Sequence, residues 1–284
     1  MGTKFFGLSR QRSVNYAIAL FDKDEGRIVA FVDGNGITAM RTAATSAVAV
    51  DLMVAKQKVS LGVIGSGHEA REHVRAIASI RGISQLAVYS PTLANRTGFA
   101  ELFTRELGVP CRAVDNPRDA ITGAELIVGA ATSKPDAPNI RGEWFEKGQT
   151  VVSISSTLPE QWELDPAAIA AADLIVCDSV EEVTHATGDF IAARRDSVAF
   201  ENKVHSLSDL VKGKLAEKIA GASLPMFKSA GSGMQDIAVA ALAYRKAIER
   251  GDAVPLDMNL TLKGGSAARR QANQSQALQM TKFR

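Results

Sequence analysis

The sequence predicts an α/β protein built on a doubly wound parallel sheet, and three observations carry that prediction. From about residue 61 to residue 230, apolar strand-like runs alternate with helix-like stretches. Such alternation implies right-handed βαβ crossovers and a parallel sheet covered on both faces. A glycine-rich turn, Gly62-Val63-Ile64-Gly65-Ser66-Gly67-His68-Glu69-Ala70, follows the first of those strands and opens a helix. The chain has 284 residues, 46% of them hydrophobic, which supplies enough apolar side chains for a buried core and a size that suits two lobes.

The elements follow in order. Two strand-like runs, Val14–Phe21 and Arg27–Val32, flank the turn Asp22-Lys23-Asp24-Glu25-Gly26 and predict a hairpin. Residues 38–58 are rich in Ala, Val, Met and Leu with no Gly or Pro, which predicts a helix capped by Thr38. Strands are expected at 61–64, 85–89, 111–114, 125–129, 150–154 and 174–177, with helices at 68–80, 93–107, 117–123 and 166–172. A last helix is expected over 233–250, closed by Gly251. Residues 263–284 carry Lys263, Arg269, Arg270, Lys282 and Arg284 and no acid, and are expected to form a solvated tail. The expected units are 1–55, 56–231, 232–262 and the tail.

Charge and cysteine content exclude several classes. With 33 basic and 31 acidic residues, the chain lacks the excess that nucleic-acid or membrane-surface binding needs. No apolar run reaches the roughly 20 residues of a membrane span, and Met1–Phe6 does not read as a secretory signal. Both cysteines, Cys111 and Cys177, fall in apolar strand-like runs and read as buried free thiols, so the cytoplasm is expected. No metal-ligand spacing is found; His68 and His73 stand five apart on one helix.

The glycine-rich turn fits G-x-G-x-x-A in the strand–turn–helix context that gives the pattern meaning. Gly65 permits the tight turn, Gly67 leaves room for a pyrophosphate, and Ala70 lets the helix pack close to the sheet. The helix start, with Ser66 and His68, offers free N–H groups to phosphates. This is the fingerprint of a Rossmann dinucleotide-binding domain. At the end of the second strand, Tyr89-Ser90-Pro91-Thr92 and then Asn95-Arg96 contain no acid to hold a ribose 2′-OH. Ser90 and Thr92 can bond a 2′-phosphate and Arg96 can pair with it, so NADP(H) is expected over NAD(H). Lys228 and Ser229 are expected at a strand end facing the nicotinamide, since ligands sit at the carboxyl ends of parallel strands.

Four stretches, taken together, resemble the ornithine cyclodeaminase/mu-crystallin family. They are Ile37-Thr38-Ala39-Met40-Arg41-Thr42-Ala43-Ala44, the loop around Gly65, Ala130-Ala131-Thr132-Ser133 followed by Pro138, and Phe227-Lys228-Ser229-Ala230-Gly231 with Gln235-Asp236-Ile237-Ala238. The resemblance runs from about residue 2 to residue 251. It implies a Rossmann domain inserted into a smaller substrate-binding and dimerisation domain of α+β type, here incomplete, and a homodimer. It also implies redox chemistry on small imino or amino acids. Arg41 matches the family arginine that binds the substrate carboxylate, and Lys4 matches a lysine that contacts the carboxylate or the reacting nitrogen. Thr132 and Ser155 are counted with the cofactor contacts, and Lys228 with the substrate contacts.

Two departures bear on activity. Cyclodeaminases of the family carry an aspartate in a Gly-Gly-Asp-Cys-Pro-Gly-Lys-Thr-Glu-Leu stretch, where this chain has Thr157. Threonine cannot serve as a carboxylate base. The family also has several dozen residues before the element matching Lys4. The expected activity is therefore NADPH-dependent reduction of a small α-imino acid, with Arg41 holding the carboxylate, Lys4 aiding it or giving a proton, and Thr157 orienting substrate or water. The alternatives are ornithine cyclodeamination to proline and ammonia, or a non-catalytic dinucleotide- or small-ligand-binding protein.

Overall fold

Three amino-terminal strands pair in sequence order. We describe the protein from a computed structural model covering residues 1–8, 14–132 and 137–256. β1 (Gly2–Leu8), β2 (Val14–Phe21) and β3 (Ile28–Asp33) form an antiparallel sheet, with Lys4 opposite Ile18 and Ile18 opposite Val32. The expected hairpin is the β2–β3 pair. β1 was not expected: its apolar residues sit at a chain end, where pairing has no local turn to announce it.

The first helix, α1 (Gly34–Met53), starts one turn before the expected position. Asp33 caps it by accepting the Asn35 N–H, and Thr38 instead donates to the Gly34 carbonyl at 2.7 Å. The early start is steric: a Cβ on Gly34 would lie 2.6 Å from Tyr16 Cβ, so the glycine lets the helix begin against β2.

The parallel layer then unfolds as β4 (Lys58–Ile64), α2 (His68–Ala78), β5 (Gly82–Tyr89), α3 (Leu93–Leu107), β6 (Cys111–Ala113), α4 (Pro117–Ile121), β7 (Leu126–Gly129), β8 (Thr150–Ser153), α5 (Pro166–Ala171) and β9 (Leu174–Cys177). It continues through α6 (Val180–Ala186), α7 (Gly188–Arg195), β10 (Val204–Ser206), α8 (Leu207–Val211), α9 (Ala216–Gly221) and β11 (Pro225–Lys228) to α10 (Gly233–Arg250). The sheet has eight strands in the order β10-β9-β11-β8-β7-β4-β5-β6, with every pair parallel. β7, β8, β9 and β11 are buried at every position, as strands covered on both faces must be. One face packs on Val74, Ile77, Phe99 and Phe103, the other on Ile121, Ile169, Phe190 and Phe200.

From β4 the order runs to β5 and β6 on one side and to β7 and β8 on the other. That reversal opens a crevice at the carboxyl ends of β4 and β7, where ligands of such sheets bind. After β11 the chain returns. α10 packs Ala240, with Ile237 and Tyr244, on Ile18, Leu20 and Ile37, so the parallel block is inserted between the first and last parts of a smaller α+β unit. Gly251 ends α10 in the left-handed conformation at φ +75°, as expected. The basic tail and Ser133 lie outside the described residues. Among those described, no helix is long and apolar enough to cross a membrane.

Candidate active site

At the crevice the glycines act as their spacing requires. Gly65 sits at φ +114°, and a Cβ there would come 2.5 Å from the Ala130 carbonyl oxygen. Its N–H donates to Tyr89 O at 2.8 Å, so the ends of β4, β5 and β7 meet around it. A Cβ on Gly67 would meet nothing within 4 Å, so this backbone faces open space. Gly67 caps α2 with no side-chain hydrogen bond, which leaves first-turn amides for a ligand. Ala70 is fully buried in the core beneath, Ser66 is half-buried and His68 exposed. A left-handed turn, a backbone open on its outer side and an uncapped helix start fit the diphosphate of a dinucleotide.

Across the crevice, the smaller unit contributes a charged cluster. Arg41, in α1, donates from Nε to Asp236 Oδ1 at 3.0 Å and from Nη1 to Gln235 Oε1 at 3.2 Å. Its Nη2 has no partner among the described residues. Lys4, in β1, donates to Asp236 Oδ2 at 3.0 Å and Thr38 Oγ1 at 2.7 Å, and its ammonium sits 4.1 Å from the centroid of the Tyr16 ring. Asp236, in α10, is 3% exposed and bridges both cations. Gly231 (φ +82°) lies against the guanidinium: a Cβ would stand 2.7 Å from Arg41 Nη1. Gly231 N–H in turn donates to Asp178 Oδ2 at 2.9 Å, and Gln235 Nε2 to the same oxygen at 3.1 Å.

A dinucleotide cradle thus shares the crevice with an arginine–lysine pair held by one aspartate. Residues 7–251 match the ornithine cyclodeaminase/mu-crystallin family. The chain belongs to this family. The Δ1-pyrroline-2-carboxylate reductase of Bacillus cereus is 29% identical over 85% of this chain and 74% of its own length. A solved structure of the Thermococcus litoralis Δ1-pyrroline-2-carboxylate reductase with NADH and L-proline aligns at a TM-score of 0.79, 30% identical, covering 90% of this chain and 80% of that one. The iminosuccinate reductase of Paracoccus denitrificans with NAD+ aligns at 0.80, 28% identical, covering 91% of this chain and 80% of that one.

Within this family member, several expected site residues are committed elsewhere. Arg96 is not a free fork: its Nη1 donates to Ser90 O (3.0 Å) and Pro91 O (3.3 Å), and its Nη2 pairs with Asp115 (2.5 Å). It braces the β5 end. Ser90 is buried, Thr92 is exposed, and neither hydroxyl has a partner among the described residues. Lys228 does not face the crevice. It is fully buried, 2.8 Å from Asp189 Oδ2, and donates to Ser153 Oγ at 2.9 Å. That hydroxyl donates to Glu163 Oε2 at 2.5 Å, and Ser155 N–H donates to the same oxygen at 3.1 Å. Burial pushes the Glu163 carboxyl above the usual range. Two acids, Glu163 from the loop before α5 and Asp189 from α7, thus claim the lysine. Ser229 is buried at the end of β11, its hydroxyl donating to Asp178 Oδ2 at 2.7 Å.

Thr157 is exposed, in a turn where Gln161 Oε1 accepts from its N–H (2.9 Å) and hydroxyl (3.1 Å). Thr132 is exposed just past β7. Sequence reasoning assigned no role to Asp236 or Gly231. Both stood only as letters in a family block, and a lone acid on a helix carries no spacing signal.

Proposed function

We propose that this chain is an NADP(H)-dependent reductase of small α-imino acids. The observation that carries this reading is the Arg41 guanidinium, oriented by Asp236 and Gln235 but with Nη2 unclaimed, across the crevice from the Gly65–Gly67 turn. A guanidinium with free N–H donors suits a substrate carboxylate. Held there, the carboxylate keeps the adjacent C=N carbon in place over the cofactor crevice, a positioning role. When bound, the dinucleotide supplies the hydrogen and electron pair that reduce that carbon. Gly65, Ser66, Gly67, His68 and Ala70 would hold its diphosphate, with Thr132 and Ser155 beside it. Lys4, directed at Asp236, Thr38 and the Tyr16 ring, keeps the aspartate in register and adds positive charge. Thr157 orients substrate or water and supplies no base, which disfavours cyclodeamination.

The named activities of the Bacillus and Thermococcus relatives support an imine next to a carboxylate. The NADP(H) preference rests on the β5 end, which has the Ser90 and Thr92 hydroxyls and no acid. The solved relatives themselves hold NADH or NAD+. A homodimer is proposed through the smaller unit, whose β1 and β3 leave Phe5, Phe6 and Phe31 exposed. The cytoplasm is proposed as its compartment, since both thiols are free.

The test is oxidation of NADPH and NADH with pyrroline- and piperideine-2-carboxylate, and with pyruvate plus ammonia or methylamine. Turnover, faster with NADPH, is expected. Saturable dinucleotide binding with no turnover on any of these would replace the reductase by a binding protein. Release of ammonia and proline from ornithine without net cofactor change would replace it by a cyclodeaminase.

A further inference from the structure

Asp178 follows β9 directly, so it belongs to the parallel block, and among the described residues it makes no ion pair with Arg41. Three backbone groups define its chemistry. Ser179 N (2.9 Å) and Ala230 N (3.0 Å) donate to its Oδ1, and Gly231 N (2.9 Å) donates to its Oδ2. A backbone N–H can only donate, so both carboxylate oxygens are acceptors. The Ser229 hydroxyl donates to Oδ2 as well, at 2.7 Å. One more donor reaches this oxygen, Gln235 Nε2, at 3.1 Å.

The two ends of a glutamine amide have the same shape, and their partners decide which end lies where. Here both partners give one answer. Asp178 Oδ2 accepts, so the Gln235 nitrogen faces it. Arg41 Nη1 donates and has no accepting capacity, so the Gln235 oxygen faces it, at 3.2 Å. Turned over, the amide would set its NH2 against the guanidinium and its oxygen against the carboxylate. Two hydrogen bonds would become two repulsions. The backbone that Asp178 Oδ2 holds supports the same arrangement, since a Cβ on Gly231 would stand 2.7 Å from Arg41 Nη1 and 2.8 Å from Nη2.

We propose that Asp178 is a positioning residue for the substrate carboxylate: by fixing the Gln235 amide it fixes the Arg41 guanidinium, with Nη2 left free. This assignment rests on the imino-acid reductase reading above. Asp236 grips Arg41 Nε from α10, in the smaller unit, whereas Asp178 comes from the sheet whose glycine-rich turn forms the dinucleotide cradle. Carboxylate anchor and cofactor crevice thereby keep one relative placement, which orders the C=N carbon for reduction.

Two variants test this. Asp178→Asn puts an NH2 at one oxygen position, and each position faces a backbone donor. Gln235→Leu removes the amide and leaves Asp178 with its backbone donors. In both, KM for pyrroline-2-carboxylate should rise by about 10–100-fold, with a smaller change in kcat. NADPH titration by fluorescence should stay within about twofold of wild type, because the cradle is untouched. In nitrogen-15 NMR of the whole protein, assigned with Arg41→Lys, the Arg41 Nη signals should be separate in wild type and merge in both variants as the guanidinium turns freely. If Asp178→Asn does not fold, Gln235→Leu decides alone. A wild-type KM in Gln235→Leu, or Nη signals unchanged there, would overturn the assignment and leave the reductase reading intact. A wild type that turns over no imine would sink both, and intact NMR effects would then locate the failure in the reading and not in the hydrogen bonds.

Discussion

Replacing Gly231 by alanine should separate the anchoring of the substrate carboxylate from cofactor binding. Gly231 holds φ +82°, a conformation that costs an L-residue about 1–2 kcal/mol. For a chain of this size that lowers Tm by roughly 2–8 °C. The added Cβ would stand 2.7 Å from Arg41 Nη1, 2.8 Å from Nη2 and 3.1 Å from Cζ. Carbon contacts relax near 3.5–4 Å, so the guanidinium must retreat by roughly 1 Å. A displacement of that size in a positioning group can cost about 10²-fold. The expected kcat/KM for pyrroline-2-carboxylate is therefore roughly 10–100-fold below wild type, with the larger part in KM. The N–H that Gly231 gives to Asp178 survives in alanine, and the cradle is untouched, so NADPH titration by fluorescence should be nearly unchanged. Steady-state kinetics, that titration and a thermal melt on one preparation decide it. A variant that melts lower yet keeps wild-type kcat/KM would refute the placement of the substrate carboxylate on Arg41.

Two further outcomes follow from the same geometry. Ser90→Asp puts a carboxylate at the β5 end, where it can bond a ribose 2′-OH and repel a 2′-phosphate. The NADPH-to-NADH ratio of kcat/KM should fall by about tenfold or more, and an unchanged ratio would remove the β5 end from the argument. His73 is buried between Ser46 and the Glu69 carbonyl, and burial lowers its pKa from 6.5 to about 4. The unfolded chain therefore binds a proton that the folded one refuses. Stability present at neutral pH is lost as pH falls from about 6.5 through about 4, at up to about 1.4 kcal/mol per pH unit. Urea melts at pH 7 and pH 5 should differ by about 2 kcal/mol in wild type and clearly less in His73→Gln; equal losses would put the acid limb elsewhere.

Much of the parallel block was legible because its signals are local. β4, β5, β7, β8 and β9 are apolar runs, and the turn at Gly65 couples a strand to a helix within a few residues. β10 and β11 were harder to see, since β10 has one apolar residue in three and β11 opens on a proline. The site divides in the same way. The cradle is one contiguous stretch, whereas the Lys4–Arg41–Asp236 cluster joins residues separated by up to 232 positions. Lys228 shows where the strand-end rule stops. The rule places a residue along the sheet axis but says nothing of what faces its side chain, and here Glu163 and Asp189 do. Asp115 and Asp178 likewise reach Arg96 and Ser229 from other elements, contacts that no local spacing announces.

Asp178 collects donors from Ser179 N, Ser229 Oγ, Ala230 N, Gly231 N and Gln235 Nε2. It thereby rivets the end of β9 to the very stretch by which the chain re-enters the smaller unit. The lobes are also joined at residues 54–57, between α1 and β4, and this crossing is fastened too: Arg81 donates to the Asp51 and Val54 carbonyls, and Val54 is buried in the core of the parallel block. Arg41 therefore takes its aim from a frame held to the sheet at two points.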